Sequence, residues 1–189
     1  MFSLYFKKIT IFFVIAFMLC CIFVFVFFSY GFKTNYSGIV EDELAKYDTS
    51  ISVETVLSVM KIESNFDIGA KSRTGAIGLM QIMPATAEYI AGNMLNEGRK
   101  LDISNLCDVE VNVALGVWYL VYLEKKLGSI EYILAGYNAG ENVALEWQKN
   151  GVKPSSFPYE ETRNYVKKYN KTIEVFRFRT ALNRIIIGF

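Results

Sequence analysis

Histidine is absent from all 189 residues, which excludes a Ser-His-Asp or Cys-His nucleophile pair and any His-ligated zinc or iron site. Catalysis on this chain has to come from carboxylates, hydroxyls, amides, lysine or cysteine. Cysteine is scarce as well. Of the three, Cys20 and Cys21 fall in an apolar N-terminal run and only Cys107 lies beyond it, so the body of the chain cannot form an internal disulfide and depends on a hydrophobic core. A basic surplus is also missing: with Lys7 and Lys8 set aside from the 20 basic residues, 18 face 19 acidic ones. The phosphate-neutralising contribution that dominates nucleic-acid binding is therefore lacking. There are no internal repeats, and no residue set suggests a metal or a cofactor.

Acidic residues are missing altogether from the first 32 positions, which hold ten of the fifteen phenylalanines. Between Ile9 and Phe28 only Thr10 is clearly polar, and a helix of about 20 residues covers the ~30 Å hydrocarbon core of a bilayer. A single transmembrane helix over 9–28 is expected. A cleavable signal would carry a shorter apolar region ending in small residues, whereas this one exits through Phe27 and Phe28. Phe17, Met18 and Leu19 are too bulky for a lipoprotein signal before Cys20. Lys7 and Lys8 precede the helix, which predicts a cytoplasmic N-terminus over 1–8 and a body on the outer face of the cytoplasmic membrane. Residues 29–50, polar and mixed, read as a membrane-proximal linker, and 51–189 as the working domain.

In that domain the signals are helical. Ser52 can cap a helix with Glu54 in its first turn, and Val53, Val56, Leu57 and Met60 recur at helical spacing. Asp108 caps the longest helix, which stops at Gly128, and Ser129 starts another through Tyr137. Pro84 opens a shorter helix, and the last one spans about Glu160 to Arg179. Gly69 to Met83 has no helical period and is expected to be a loop or short β-hairpin beside a cleft. The fold class is mainly α with at most a small β element.

Glu63 continues the buried stripe of Val53, Val56 and Met60. A carboxyl turned inward stays protonated to higher pH and can act as a general acid; on periodicity alone it could equally reach solvent from the helix end. Gly75 to Pro84 reads G-A-I-G-L-M-Q-I-M-P, in which glycines admit close backbone approach, a glutamine offers donor and acceptor, and methionines make an adaptable apolar wall. The same composition also suits a buried turn. Tyr137 and Asn138 end a helix at Gly140, and Tyr165 follows Glu161 by one turn; a tyrosine can position a catalytic carboxyl by hydrogen bonding.

In order, V-M-K-I-E-S-N-F, G-A-I-G-L-M-Q-I-M-P, G-Y-N-A-G and F-P-Y-E-E-T-R-N-Y-V resemble the motifs of the soluble lytic transglycosylase catalytic domain, a lysozyme-like family acting on peptidoglycan, over roughly Ser52 to Tyr169. The resemblance implies a lysozyme-like helical fold and cleavage of the β-1,4 bond between N-acetylmuramic acid and N-acetylglucosamine. It implies that Glu63 is the single acid/base and that Ser64, Gly78, Leu79, Met80, Gln81, Tyr137, Asn138, Glu161 and Tyr165 bind substrate. Gly136 stands where the family usually has alanine, which should loosen that helix by ~1 kcal/mol.

The implied reaction has Glu63 protonate the glycosidic oxygen while the muramic N-acetyl group supports the developing charge. Glu63 then deprotonates the C6 hydroxyl, whose attack on C1 yields a 1,6-anhydro end. The alternatives are a hydrolytic lysozyme, which would need a second carboxylate or a positioned water, and a non-catalytic wall-binding assembly protein. The implied partners are glycan strands and, through the N-terminal helix, the membrane.

Overall fold

The computed structural model describes residues 2–31 and 35–187, with side chains over 7–23, over 35–182 and at Arg184. It forms two compact units, 1–34 and 35–189. The first is one helix, α1 (Phe2–Gly31), whose described apolar side chains, among them Phe12, Phe17 and Phe23, are exposed. Among the described residues no helix is long and apolar enough to cross a membrane. The expected span 9–28 runs past Phe23, the last side chain described on α1.

The second unit is helical throughout: α2 (Ser37–Leu44), α3 (Val53–Ser64), α4 (Pro84–Asn96), α5 (Val109–Leu127), α6 (Ile130–Ala139), α7 (Glu141–Lys149), a 3-10 turn (Pro154–Ser156) and α8 (Glu160–Ile187). Two of the expected caps form. The Ser52 hydroxyl accepts from the Thr55 amide at 3.2 Å and the Asp108 carboxylate from the Val111 amide at 3.0 Å, each satisfying an orphan donor at a helix start. α5 is the hub. Val113, Leu115, Val117, Leu120 and Leu123 are wholly buried, and α2, α4, α6 and α7 all pack on it. α3 lies instead against α8, with the Thr55 and Tyr169 hydroxyls 3.1 Å apart between them.

Three expectations need correction. Residues 29–50 are not all linker: the working unit begins at Asn35, and α2 buries Val40, Glu43 and Leu44. Glu43, one of three consecutive acidic residues in that stretch, accepts from Lys46 Nζ at 2.5 Å, Tyr47 Oη at 3.0 Å and Arg99 Nη2 at 2.8 Å. Its cross-chain partner lies 56 residues away, beyond the reach of any local pattern. Of the two alternatives for 69–83, the loop forms and the hairpin does not. Among the described residues the 69–83 loop holds only isolated bridges, Lys71 with Ile77 and Ile77 with Ile82. Finally, α8 continues well past Arg179, and Gly140 at φ 100°, ψ 147° turns the corner into α7, a helix the sequence reading did not assign.

At Gly136 a methyl group would sit 3.0 Å from Leu123 Cδ2 and from Leu127 Cδ1. The glycine lets α6 lie close on α5, so that turn is held by interhelical packing rather than by helix propensity.

Candidate active site

Glu63 sits in the last turn of α3, just before the chain leaves the helix through Asn65 in the left-handed region (φ 53°). The Tyr165 hydroxyl of α8 donates to its Oε1 at 2.7 Å. Four influences act on the carboxyl. Burial is the largest and raises its pKa, the Tyr165 hydrogen bond lowers it, the charge of Glu161 raises it, and Lys168 lowers it. Burial wins, and the carboxyl is pushed up to about 7, so it remains largely protonated at pH values where ordinary carboxylates are charged. The stripe of Val56 and Met60 that pointed inward from the sequence does carry Glu63 inward.

Beside it lies the loop 75–83. The Ser64 hydroxyl donates to the carbonyls of Leu79 at 2.8 Å and Met60 at 3.2 Å, pinning the loop to the end of α3. Leu79 and Met80, expected to line the cleft, are core residues with 1% and 0% exposure, and only Met83 of the two methionines is exposed. Their backbones serve the site: Met80 O accepts from the Tyr137 hydroxyl at 2.8 Å and Met80 N donates to Asn112 Oδ1 at 2.7 Å. Gln81, at φ 48°, donates through Nε2 to the carbonyls of Gly78 at 3.0 Å and Ala70 at 3.2 Å. That nitrogen is committed to the loop.

The residue that sequence reasoning missed is Asn112. Buried on α5, it accepts from Met80 N and donates to the carbonyls of Ile77 at 2.9 Å and Leu106 at 2.8 Å. One amide thus satisfies Met80 N of this loop and Leu106 O of the next, and adds a second donor to Ile77 O, which also accepts from the Ile82 amide at 3.0 Å. Gly78, at φ 81°, packs so tightly here that a Cβ would collide with the Asn112 side chain and sit 2.7 Å from Leu106 O. A polar residue interrupting the apolar face of α5 was the available signal.

Tyr137 and Tyr165 both feel the charge of Glu63, and burial and that charge hold both phenols well above their ordinary pKa. They therefore remain donors at neutral pH. Asn138 Oδ1 accepts from Thr162 Oγ1 at 2.7 Å, joining α6 to α8; Thr162, 1% exposed, was likewise not anticipated. Glu161 is solvent exposed. The fold thus gathers Glu63, Tyr137 and Tyr165 around one point, with Glu161 and Lys168 near enough to act on Glu63 electrostatically, while Ser64, Gly78, Leu79, Met80 and Gln81 build the loop beside it. A cavity of about 470 Å³ between the start of α3 and α8, lined by Ser52, Thr55, Tyr169 and Arg177, holds none of the expected site residues. Among the described residues no acidic or cysteine cluster could hold a metal ion.

Comparison with known proteins bears on this arrangement. The chain is 34% identical over 119 residues to the soluble lytic murein transglycosylase of Escherichia coli K12, covering 59% of this chain and 18% of that protein. It is 28% identical over 171 residues to the membrane-bound lytic murein transglycosylase C of Serratia proteamaculans, covering 77% and 47%. The crystal structure of the 70 kDa soluble lytic transglycosylase of E. coli superposes with a TM-score of 0.70 at 28% identity, covering 79% of this chain and 25% of that one. The chain therefore spans only a fraction of these relatives, and the shared part is the lysozyme-like helical fold. Residues 43–157 match the model of the transglycosylase SLT domain, and with that match over well over half its length the chain belongs to the SLT domain family.

Proposed function

We propose that the domain is a peptidoglycan lytic transglycosylase in which Glu63 is the single general acid/base. The observation that carries this reading is a carboxyl poised near neutrality and held by the Tyr165 hydroxyl at 2.7 Å. Protonated, Glu63 donates to the glycosidic oxygen between N-acetylmuramic acid and N-acetylglucosamine. As the bond breaks, the muramic N-acetyl group shares the positive charge at C1. Glu63, now a carboxylate, takes the proton of the C6 hydroxyl, which attacks C1 and closes a 1,6-anhydro ring. Because nucleophile and electrophile belong to one sugar, the second step is effectively unimolecular, an advantage that reaches ~7–11 kcal/mol in well-oriented systems. Tyr165, a neutral donor, orients the carboxyl, while Tyr137 spends its hydroxyl proton on the Met80 carbonyl and so fixes the loop beside it. Asn138, Glu161 and the loop built on Gly78 and Gln81 border the sugar.

The reading is tested by mass analysis of the muropeptides that the full chain, in detergent, releases from purified peptidoglycan. Anhydromuramic ends support it. Reducing ends would make the enzyme a hydrolase, with Glu161 the first residue to examine as water activator, and binding without release would leave a wall-binding protein.

Tyr165→Phe tests the positioning role. It deletes a bond to the charged form of Glu63, so the Glu63 pKa rises and the alkaline limb of the pH–rate profile moves to higher pH. Over the same change kcat falls about ten- to a hundredfold as the carboxyl loses its fixed orientation. A profile that falls in height without moving would assign Tyr165 to packing alone.

The same proposal places the domain at the membrane. Support comes from the unbroken helix of α1, the apolar run 9–28 behind Lys7 and Lys8, and the membrane-bound designation of the Serratia relative. α1 then serves as a single-pass anchor that keeps the domain on the outer face of the cytoplasmic membrane. Recovery of the body in the soluble fraction of lysed cells would refute the anchor.

A further inference from the structure

Toward its C-terminal end α8 is apolar on two sides. Phe176, 1% exposed, closes the core, and Thr180 Oγ1 donates to Glu54 Oε1 of α3 at 2.9 Å. Phe178 and Leu182, four positions apart and so on one face turned away from that contact, leave 58% and 41% of their surface in solvent. The sequence puts Ile185 at the next place in the same register. A helix lying on a domain ordinarily presents charged and polar residues on its outer side.

The charges along this stretch are of one sign. Beyond Glu174 the chain has no acidic residue, whereas Arg177 and Arg184 fall on one flank of the Phe178 and Leu182 stripe and Arg179 on the other. Arg177 and Arg184 are exposed. Arg177 Nη1 lies 3.3 Å from Glu174 Oε1, a pair with both side chains mostly in water and therefore weak, and Arg184 acts on Glu54 electrostatically. Aromatic and aliphatic side chains on one face with arginines beside them are the composition of a helix that lies in the surface of a bilayer. A purely apolar partner would leave the guanidinium groups unmatched, whereas anionic phospholipid offers acyl chains and phosphates side by side.

The fold also brings this stretch close to the chain's exit from the apolar run. That run ends at Phe28 and α2 begins at Ser37, and the few residues between them span at most about 30 Å even when fully extended. Tyr36, at the start of α2, stacks on Phe66 at 6.0 Å, and Phe66 meets Phe176 edge-on at 6.2 Å. Two ring contacts thus join the start of the domain to the part of α8 that carries the exposed stripe.

Resting on the reading of α1 as a membrane anchor, we infer that the C-terminal turns of α8, from Arg177 onward, dock on the outer leaflet of the same membrane, with Phe178 and Leu182 at the acyl-chain boundary and Arg177, Arg179 and Arg184 on anionic phospholipid headgroups. One tether lets the domain swing, and a second contact fixes which way the Glu63 site faces. Tyr165 holds Glu63 from the same helix, so docking sets the acid/base about 20 Å along α8 from the lipid contact at Phe178.

The experiment uses the full chain reconstituted in vesicles whose phospholipid acyl chains carry bromine, a short-range quencher of indole emission. Trp118 and Trp147 lie inside the domain, 5% and 7% exposed, so Phe178→Trp adds an emission that reports its own position. In mixed phosphatidylcholine and phosphatidylglycerol the added emission is expected to fall by at least about half, with a smaller loss in phosphatidylcholine alone. Arg177→Gln with Arg184→Gln is expected to abolish the difference between the two compositions, and Leu182→Asp to restore most of the emission; these side chains are exposed, so the fold tolerates the changes. Unquenched emission from a chain that floats with the vesicles overturns the docking and leaves the anchor standing, whereas a chain that does not float overturns the anchor and the docking with it. Equal quenching in both compositions overturns the pairing with anionic lipid. Unquenched emission that shifts to shorter wavelength as the protein-to-lipid ratio rises would assign the stripe to a second copy of the chain and likewise overturn the docking.

Discussion

Replacing Glu63 by glutamine is expected to lower release of anhydromuropeptides by at least about a thousandfold, because in the proposed mechanism one carboxyl serves as acid and then as base, and proton transfer by a positioned group is worth about 10²–10⁴ in rate. Glutamine keeps the volume and an acceptor for the Tyr165 hydroxyl but has no proton to give. The same substitution should leave the protein more stable at alkaline pH. In the unfolded chain Glu63 titrates near 4.5, and in the folded chain at about 7. Below pH 4.5 both states hold the proton and the difference vanishes. Between the two values the folded state keeps a proton that the unfolded state has released, so stability falls as pH rises through this window, and above 7 the full cost of the buried charge is present. That cost is about 3 kcal/mol, and Glu63→Gln removes it. Thermal or urea unfolding of the two proteins at pH 4, 6 and 8 measures it as a gap that opens with pH. A gap that stays constant would mean the carboxyl is not buried as described, and activity retained in the variant would end the acid/base assignment. By the same titration the rate of the unsubstituted enzyme declines as pH passes about 7, where the acid is lost.

Asn112→Leu is expected to destabilise the domain by about 2–4 kcal/mol, as befits two buried backbone groups left without partners at about 1–3 kcal/mol each and partly rescued by relaxation. Leucine matches asparagine in size, so no cavity confuses the result. The groups orphaned are Met80 N and Leu106 O, while Ile77 O loses one of its two bonds and keeps the Ile82 amide at 3.0 Å. Because Met80 O also holds the Tyr137 hydroxyl and Leu79 O holds Ser64, the loop should lose its position and activity should fall even where the protein remains folded. Urea midpoints read the first effect and turnover at low denaturant the second. Asn112→Asp, which can still accept from Met80 N but cannot donate, should fall between the two. A midpoint unchanged in Asn112→Leu would mean water takes over all three bonds and the loop does not depend on this amide.

The contrast between Glu63 and Asn112 shows where legibility ended. Glu63 was half readable: the spacing of Val53, Val56 and Met60 put it in line with a buried face, but at the helix end it could equally have reached solvent, and the packing of α8 decided between the two. Tyr137 and Tyr165 were readable only with the help of the family motifs, since nothing local says that two tyrosines 28 positions apart face the same carboxyl. Leu79 and Met80 were misplaced as cleft lining for a related reason. Their motif marks them as important without saying whether side chain or backbone matters, and the fold uses the backbone and buries the side chains. Thr162 carried no signal at all, its partner Asn138 lying on another helix.

What the sequence determined by itself is therefore what neighbours along the chain can enforce: the caps at Ser52 and Asp108, the stop at Gly128, the placing of Glu63 in line with an apolar stripe, the apolar character of 9–28, and the absence of any imidazole chemistry. Tertiary structure alone decided that α2 is part of the domain, fastened by Glu43 to Arg99, that the 69–83 loop does without a hairpin because Asn112 satisfies its backbone, and that Tyr165 reaches Glu63 across 102 residues of chain. The physical reason is the same in each case. Helix periodicity and capping act over a few residues, where local sequence records them, whereas a buried hydrogen bond or ion pair forms between groups that only the packing of whole helices brings together.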